Sequence, residues 1–316
     1  MTVKKLTRRE FQAAVGTSIA ACAVPSHSQE TSPRSQETSP NWIDAHVHVW
    51  TPDTAKYPLD ADYQVSSMRP PSFTPEQLFA HAHPAGVNRI VLIQMSFYNF
   101  DNRYMTDMMQ AHPGVFSGVG IVDHQSSDVA SKMKNLAAKG VRGFRLHSRG
   151  GSAASWPNDP GMQLVWKTAA DENLTVCPLI TPDDLPHIDS LCKQFPKTKV
   201  VVDHFGRVGI RGEITEKELS ALCRLADHPL THVKTSAFYA LGQKSPPYHD
   251  LIPMIRRVVD AFGADRLMWA SDCPYQVQGN HTYAASLELI RDQCDFLTSA
   301  QKTAMLRGTA ERIFFG

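Results

Sequence analysis

From Asn41 to its end the chain alternates two textures. Short apolar runs rich in β-branched residues fall at Trp42–His48, Val87–Met95, Val115–Val122 and Val141–His147. Four more fall at Leu174–Ile180, Thr198–His204, Thr231–Ala237 and Arg266–Ser271. Runs of this length and composition predict buried strands. Between them, apolar residues recur at helical spacing, and helix starts are legible. Thr74-Pro75-Glu76-Gln77 offers an N-cap, a proline at the first helical position and an acid in the first turn. Thr181-Pro182-Asp183-Asp184 and Thr215-Glu216-Lys217-Glu218 are similar. Gly86, Gly140 and Gly263 follow helical stretches, where a left-handed residue is wanted before the next strand.

Eight strands alternating with helices match the size and order of an α/β fold of the (β/α)8 TIM-barrel type, a single domain over residues 41–316. The competing architecture is an open doubly wound sheet. No G-x-G-x-x-G follows the first strand and no Walker lysine loop occurs, so no nucleotide cofactor is expected.

Residues 1–40 break the rhythm. Lys4 and Lys5 precede Arg8-Arg9-Glu10-Phe11, and a weakly apolar run follows from Ala13 to Val24. This reads as an export signal over residues 1–23, and the arginine pair resembles a twin-arginine signal, which implies a periplasmic destination. Ala21-Cys22-Ala23 fits an A-x-A cleavage site, giving a soluble product. Ile19-Ala20-Ala21-Cys22 also fits a lipobox, in which Cys22 carries a lipid anchor. Residues 24–40 contain SQETSP twice and read as a disordered linker.

Composition narrows the partners. The 316 residues hold 32 basic and 31 acidic side chains, net +1, with no Lys/Arg run in the body of the chain; nucleic acid is excluded as a partner. Residues 1–23 carry four basic side chains and one acid, so the remainder carries 28 basic and 30 acidic, net −2. No apolar run is long enough for a membrane span. The six cysteines form no C-x-x-C pair, and buried free thiols are expected. The partner left is a small-molecule substrate; oligomeric state is not readable.

In a barrel of this kind, chemistry sits at the C-terminal ends of strands. The first strand ends Asp44-Ala45-His46-Val47-His48, and alternation places His46, His48 and Asp44 on one inward face. The sixth run ends Asp203-His204, followed by Phe205-Gly206-Arg207. The eighth reads Leu267 to Ser271 and then Asp272-Cys273-Pro274, with Asp272 sharing the inward parity of Met268 and Ala270. An acid ending an apolar strand needs a partner, because burying it unpaired is costly. His46, His48 and His204 are the nearest candidates. A carboxylate beside two or three imidazoles can take a proton from water, while the imidazoles, or a metal they hold, polarise a carbonyl.

The first-strand D-A-H-V-H, the D-H-F-G-R of residues 203–207 and the W-A-S-D-C-P-Y of residues 269–275 resemble the amidohydrolase superfamily, amidohydrolase-2 type. Within it the chain looks most like the sugar-lactonase and pyrone-dicarboxylate-lactonase group. G-V-R-G-F-R (140–145), V-K-T-S (233–236) and G-T-A-E-R-I-F (308–314) add to the likeness. The resemblance implies a (β/α)8 barrel whose catalytic residues are His46, His48, His204 and Asp272, and hydrolysis of a lactone. A bridging lysine after the fourth strand is missing, since that strand offers Arg145 and His147, and no histidine follows the fifth. A two-metal centre is therefore not expected. One divalent ion, zinc or manganese, on His46, His48, His204 and Asp272 suits the donor types, yet the resembled group includes members that work without metal. Both readings stand at this stage. So do two others: a metal-dependent decarboxylase of an aromatic or unsaturated acid, and an exported, non-catalytic binding barrel.

Substrate-binding candidates are strand-end polar residues: Arg145, His147, Arg207, Lys234, Gln94 and Tyr275. His81 and His83 repeat the H-x-H pattern on a helix, where i and i+2 diverge, and are expected to be inert.

Overall fold

A computed structural model describes residues 41–148 and 151–316. The expected signal and linker, residues 1–40, lie outside the described residues. The eight strands form one parallel sheet in sequence order: β1 Trp42–Val47, β2 Val87–Ile93, β3 Phe116–Gly120, β4 Val141–His147, β5 Thr175–Leu179, β6 Lys199–Val202, β7 Thr231–Thr235 and β8 Leu267–Trp269. Each falls inside an expected run. Most stop short of its C-terminal end, because the polar residues there turn out of the ladder.

The sheet curls into a nearly closed barrel. β1 meets the segment after β8 through a parallel bridge between Val47 and Cys273. His48 N–H donates to the Cys273 carbonyl (2.8 Å) and Asp272 N–H to the His46 carbonyl (2.9 Å). The helices α1 Pro75–Ala82, α2 Arg103–Ala111, α3 Val129–Ala138, α4 Pro160–Asp171, α5 Leu185–Gln194, α6 Glu216–Arg224, α7 Ile252–Phe262, α8 Tyr283–Glu288, α9 Ser299–Thr303 and α10 Thr309–Phe314 complete the alternation. Among the described residues no helix is long and apolar enough to cross a membrane.

Local chemistry explains the boundaries. Thr74 and Gln77 form the reciprocal capping box that starts α1, with the Gln77 side chain accepting from Thr74 N–H at 2.8 Å. Gly86 (φ 77°) and Gly140 (φ 96°) take the left-handed turn before β2 and β4, a conformation that costs a Cβ-bearing residue about 1–2 kcal/mol.

Two apolar layers result. Between strands and helices lies one large cluster that includes Leu78, Trp166, Leu191, Leu222, Met254 and Trp269. Inside the barrel lies a second, made of Ile43, Val91, Val119, Val201 and Met268, with Ala310, Ile313 and Phe314 of α10 plugging its lower end. The five described cysteines, Cys177, Cys192, Cys223, Cys273 and Cys294, are buried and unpaired.

One expectation fails here. Asp44 does not share the inward face of His46 and His48. The β1–β2 register shifts between Asp44 and Val47, and such a bulge reverses side-chain parity beyond it. Ile43 and Ala45 therefore face the interior cluster, and His46 and His48 follow them inside. Asp44 turns outward to accept from Tyr283 O–H of α8 (2.8 Å). Its other oxygen takes Ser271 N–H (2.9 Å) and His46 N–H (3.1 Å), tying β1 to the end of β8. Burial raises the Asp44 carboxyl to about 6.

Candidate active site

The bulge in β1 delivers two imidazoles to the barrel mouth, with Nε2 atoms 3.3 Å apart. His204 joins them from the end of β6 by an unusual backbone. His204, Phe205, Gly206 and Arg207 all carry left-handed φ values between 52° and 60°. Strained residues of this kind persist only where the surroundings over-determine them. Phe205 is buried against Phe238, and Gly206 leaves only 3.0 Å between a would-be Cβ and Leu185. The turn places two consecutive residues, Asp203 and His204, inside the barrel. A strand would have sent them to opposite faces. Asp272 is also left-handed (φ 63°) and caps β8.

The carboxylate of Asp272 sits at the centre. Its Oδ1 lies 3.5 Å from His46 Nε2 and 3.4 Å from His48 Nε2; its Oδ2 lies 3.6 Å from His204 Nε2. Tyr239 O–H donates to Oδ2 at 2.7 Å, while Oδ1 is buried without a hydrogen bond of its own. Burial pushes the Asp272 carboxyl up, but the surrounding His204, His48 and His46 rings hold it below the usual range, so it is ionised. Burial lowers His204 to about 4 and His46 well below the usual imidazole value, so both rings are neutral at pH 7. Burial, then Asp272, raises Tyr239, which stays a donor.

Below this set lies a second charged layer. Asp203, fully buried, meets Lys234 Nζ at 3.0 Å, Arg145 Nε at 3.4 Å and His46 Nδ1 at 3.4 Å. Burial opposes its charge, and Lys234, then His46 and Arg145, more than offset this. Above the set opens a cavity of about 290 Å³, walled by His48, Arg145, His147, His204, Arg207 and Tyr275 among others.

Of the sequence-predicted residues, His46, His48, His204 and Asp272 converge, and Arg145, His147, Arg207 and Tyr275 line the cavity with members of that set. Lys234 and Gln94 do not reach it. Lys234 lies mid-strand with no exposed surface and points into the barrel interior beneath His46. Gln94 is buried and spends its amide on the Asn99 and Asp101 carbonyls, pinning the loop after β2. One contributor is missing from that set. Asp203 shares the parity of Val201 and, like Asp272, is an acid ending an apolar strand; the same argument finds it. Tyr239, legible as a polar residue just past a strand end, meets Asp272 rather than the open cavity alone.

The donor set suits one divalent ion. Ligand atoms of His46, His204 and Asp272 lie within 4.8 Å of one another, and Asp272 Oδ1 is an open carboxylate oxygen. His48 is set for ligation, because its Nδ1 donates to the Ile93 carbonyl (2.9 Å) and leaves Nε2 free. His204 Nδ1 has Ser236 Oγ at 2.8 Å. The group whose spacing fits an ion is His46, His204 and Asp272, with His48 Nε2 beside it, 3.4 Å from Asp272 Oδ1; an ion held there would lower the pKa of a water and polarise a carbonyl. Of these His46 departs in its chemistry, since its Nδ1 faces an ammonium.

An eight-stranded parallel barrel with imidazoles and a carboxylate gathered at its C-terminal mouth carries its polar cluster where barrel enzymes place their active sites. The chain belongs to the amidohydrolase family, whose pattern it matches over residues 43–316. It is 30% identical over 281 residues to an L-fucono-1,5-lactonase of Burkholderia ambifaria, covering 85% of this chain and 93% of that one. It is 28% identical over 248 residues to a 2-pyrone-4,6-dicarboxylate hydrolase of Comamonas testosteroni, covering 76% and 78%. Its fold matches that of a zinc-bound amidohydrolase from Burkholderia multivorans with TM-score 0.73 at 20% identity, covering 87% and 99%.

Proposed function

We propose that this protein is a lactonase that opens a ring ester carrying an anionic group. The observation that carries the reading is Asp272 Oδ1: a buried, ionised oxygen, free of hydrogen bonds, within 3.5 Å of two imidazoles. The relatives named as lactone hydrolases support the bond class.

Tyr239 occupies Oδ2 and leaves Oδ1 to face water. The water oxygen adds to the lactone carbonyl carbon while its proton passes to Asp272 Oδ1. The carbonyl electron pair moves onto oxygen, which takes a hydrogen bond from an imidazole N–H. The ring C–O bond then breaks, and the departing oxygen takes the proton from Asp272. Lactone and water become one hydroxy acid, and Asp272 returns to its starting state.

The charge of the site supports an anionic substrate. Arg145, Arg207 and Lys234 face Asp203 and Asp272, and the buried His46 and His204 rings are neutral, so one positive charge is left over among these groups. Arg207 makes no ion pair or hydrogen bond through its side chain among the described residues. Burial and the neighbouring Arg145 lower its pKa, and an incoming carboxylate or sulfonate relieves both effects.

The test is a panel of neutral sugar lactones and carboxylated lactones, followed by proton release, with and without chelator. Turnover with higher kcat/KM on the anionic members is expected. Release of CO2 from aromatic acids instead would establish the decarboxylase reading, and ligand recovered unchanged across the panel would establish a binding protein. Residues 1–23 are proposed to direct export. Mass spectrometry of the exported chain should find a new N-terminus near residue 24, or a lipidated Cys22 if the lipobox is used.

A further inference from the structure

We infer that Lys234, backed by Asp203, is a positioning residue that fixes the single proton of His46 on Nε2, so that this ring is a hydrogen-bond donor at the mouth and not a metal ligand. Two independent contacts lead there. On the inner side, His46 Nδ1 has Lys234 Nζ at 3.1 Å. An ammonium only donates, so Nδ1 must accept. The charge on Lys234 is secured by Asp203 at 3.0 Å, in a place with no solvent for either group. Asp203 Oδ1 also lies 3.4 Å from Nδ1, but neither Asp203 oxygen receives a hydrogen bond of good geometry.

On the outer side, His48 gives its Nδ1 proton to the Ile93 carbonyl, which can only accept; its Nε2 is therefore a lone pair. His46 Nε2 lies 3.3 Å from that lone pair and 3.5 Å from the Asp272 carboxylate. A proton on His46 Nε2 meets two acceptors. The other tautomer would set three lone-pair atoms against one another in a buried site. The two sides thus agree.

This refines the proposed lactonase and rests on that reading only for its consequence. The His46 N–H becomes the group that meets the carbonyl oxygen, and the ammonium behind the ring strengthens it as a donor. His48 and Asp272 remain acceptors, suited to hold the attacking water.

The tautomer is read directly by long-range proton–nitrogen correlation NMR on the full chain with 15N-labelled histidine at pH 7.5. His46→Gln assigns the His46 signals by their loss. The expected result is Nε2–H at His46 and Nδ1–H at His48; Nδ1–H at His46 in the unaltered protein overturns the proposal. Lys234→Met should move the His46 proton to Nδ1, toward Asp203, and lower kcat about 10–100-fold with KM little changed. Lys234→Arg should restore Nε2–H. Because Lys234→Met strands a buried carboxylate, the pair Lys234→Met with Asp203→Leu, which leaves no donor at Nδ1, serves as the folded alternative, and an unchanged Nε2–H in it also overturns the proposal. Zinc added to the unaltered protein should shift the ring nitrogens of His48 and His204 and spare His46 Nε2; ligation through His46 Nε2 refutes the assignment. The spectra need no turnover, so they stand or fall apart from the lactonase reading.

Discussion

The two ends of the barrel are made from the same eight strands and have opposite chemistry. At the lower end α10 inserts Ala310, Ile313 and Phe314 among Ile43, Val91, Val201 and Met268, a dry apolar plug. At the upper end the same strands finish in His46, His48, His204 and Asp272, all buried, most of them polar atoms facing each other. Lys234 stands at the seam, its Nζ 5.6 Å from the Phe314 ring below and 3.0 Å from Asp203 above. The lower end gains free energy for each area removed from water. The upper end costs free energy in desolvated charge and left-handed backbone. The division teaches that fold stability and chemistry are separable by height along one barrel axis.

Substitutions can break that separation. Asp272→Asn should lower kcat by about 10²–10⁴-fold, the range of a lost general base, while calorimetry finds a Tm close to the starting value. A large drop in Tm would show that the mouth also carries stability. Phe314→Ala should cost about 3–5 kcal/mol in denaturant unfolding, with kcat per folded molecule unchanged; lost turnover in the folded fraction would join the two ends.

A smaller effect is expected at Arg207. Arg207→Met should raise KM for anionic lactones about 10–100-fold, as a lost hydrogen bond to a charged group does, and leave neutral ones unaffected. Equal loss on both would remove the arginine from substrate recognition.

The mildest effect concerns pH. Burial lowers His232, beside Arg312 of α10, to about 4, as it does His204 at the mouth. A histidine that titrates lower in the fold than in the unfolded chain leaves the unfolded chain holding more protons between about pH 6.5 and pH 4. Stability is therefore full above pH 6.5 and falls as pH drops through that window. His232→Gln should remove about 2 kcal/mol of the loss between pH 7 and pH 5, seen as a flatter plot of unfolding free energy against pH. An unchanged slope would assign the acid sensitivity to the mouth alone.

Much of the molecule was readable in advance because periodicity and burial agree. Every strand lies within an expected apolar run. His81 is exposed on α1 and His83 is exposed just past its end, each stacked on an aromatic ring, Phe73 and Phe79. His46 and His48 are buried on a strand. What was missed came from departures from strand alternation. A bulge sent Asp44 outward, and a left-handed turn brought Asp203 and His204 inside together. The residue type and strand position of Lys234 suggest a substrate contact; its depth in β7 makes it a neighbour of His46 instead.

The order of strands and helices, the apolar faces and the identity of the strand-end acids and histidines are local properties, and the sequence by itself determined them. Proton placement and charge are not local. They depend on which atoms from β1, β6, β7 and β8 come within about 3.5 Å after the barrel closes, where no water is left to satisfy them. Only the tertiary structure decided that Asp272 keeps an open oxygen, that Asp203 neutralises a buried lysine, and which nitrogen of His46 faces that lysine.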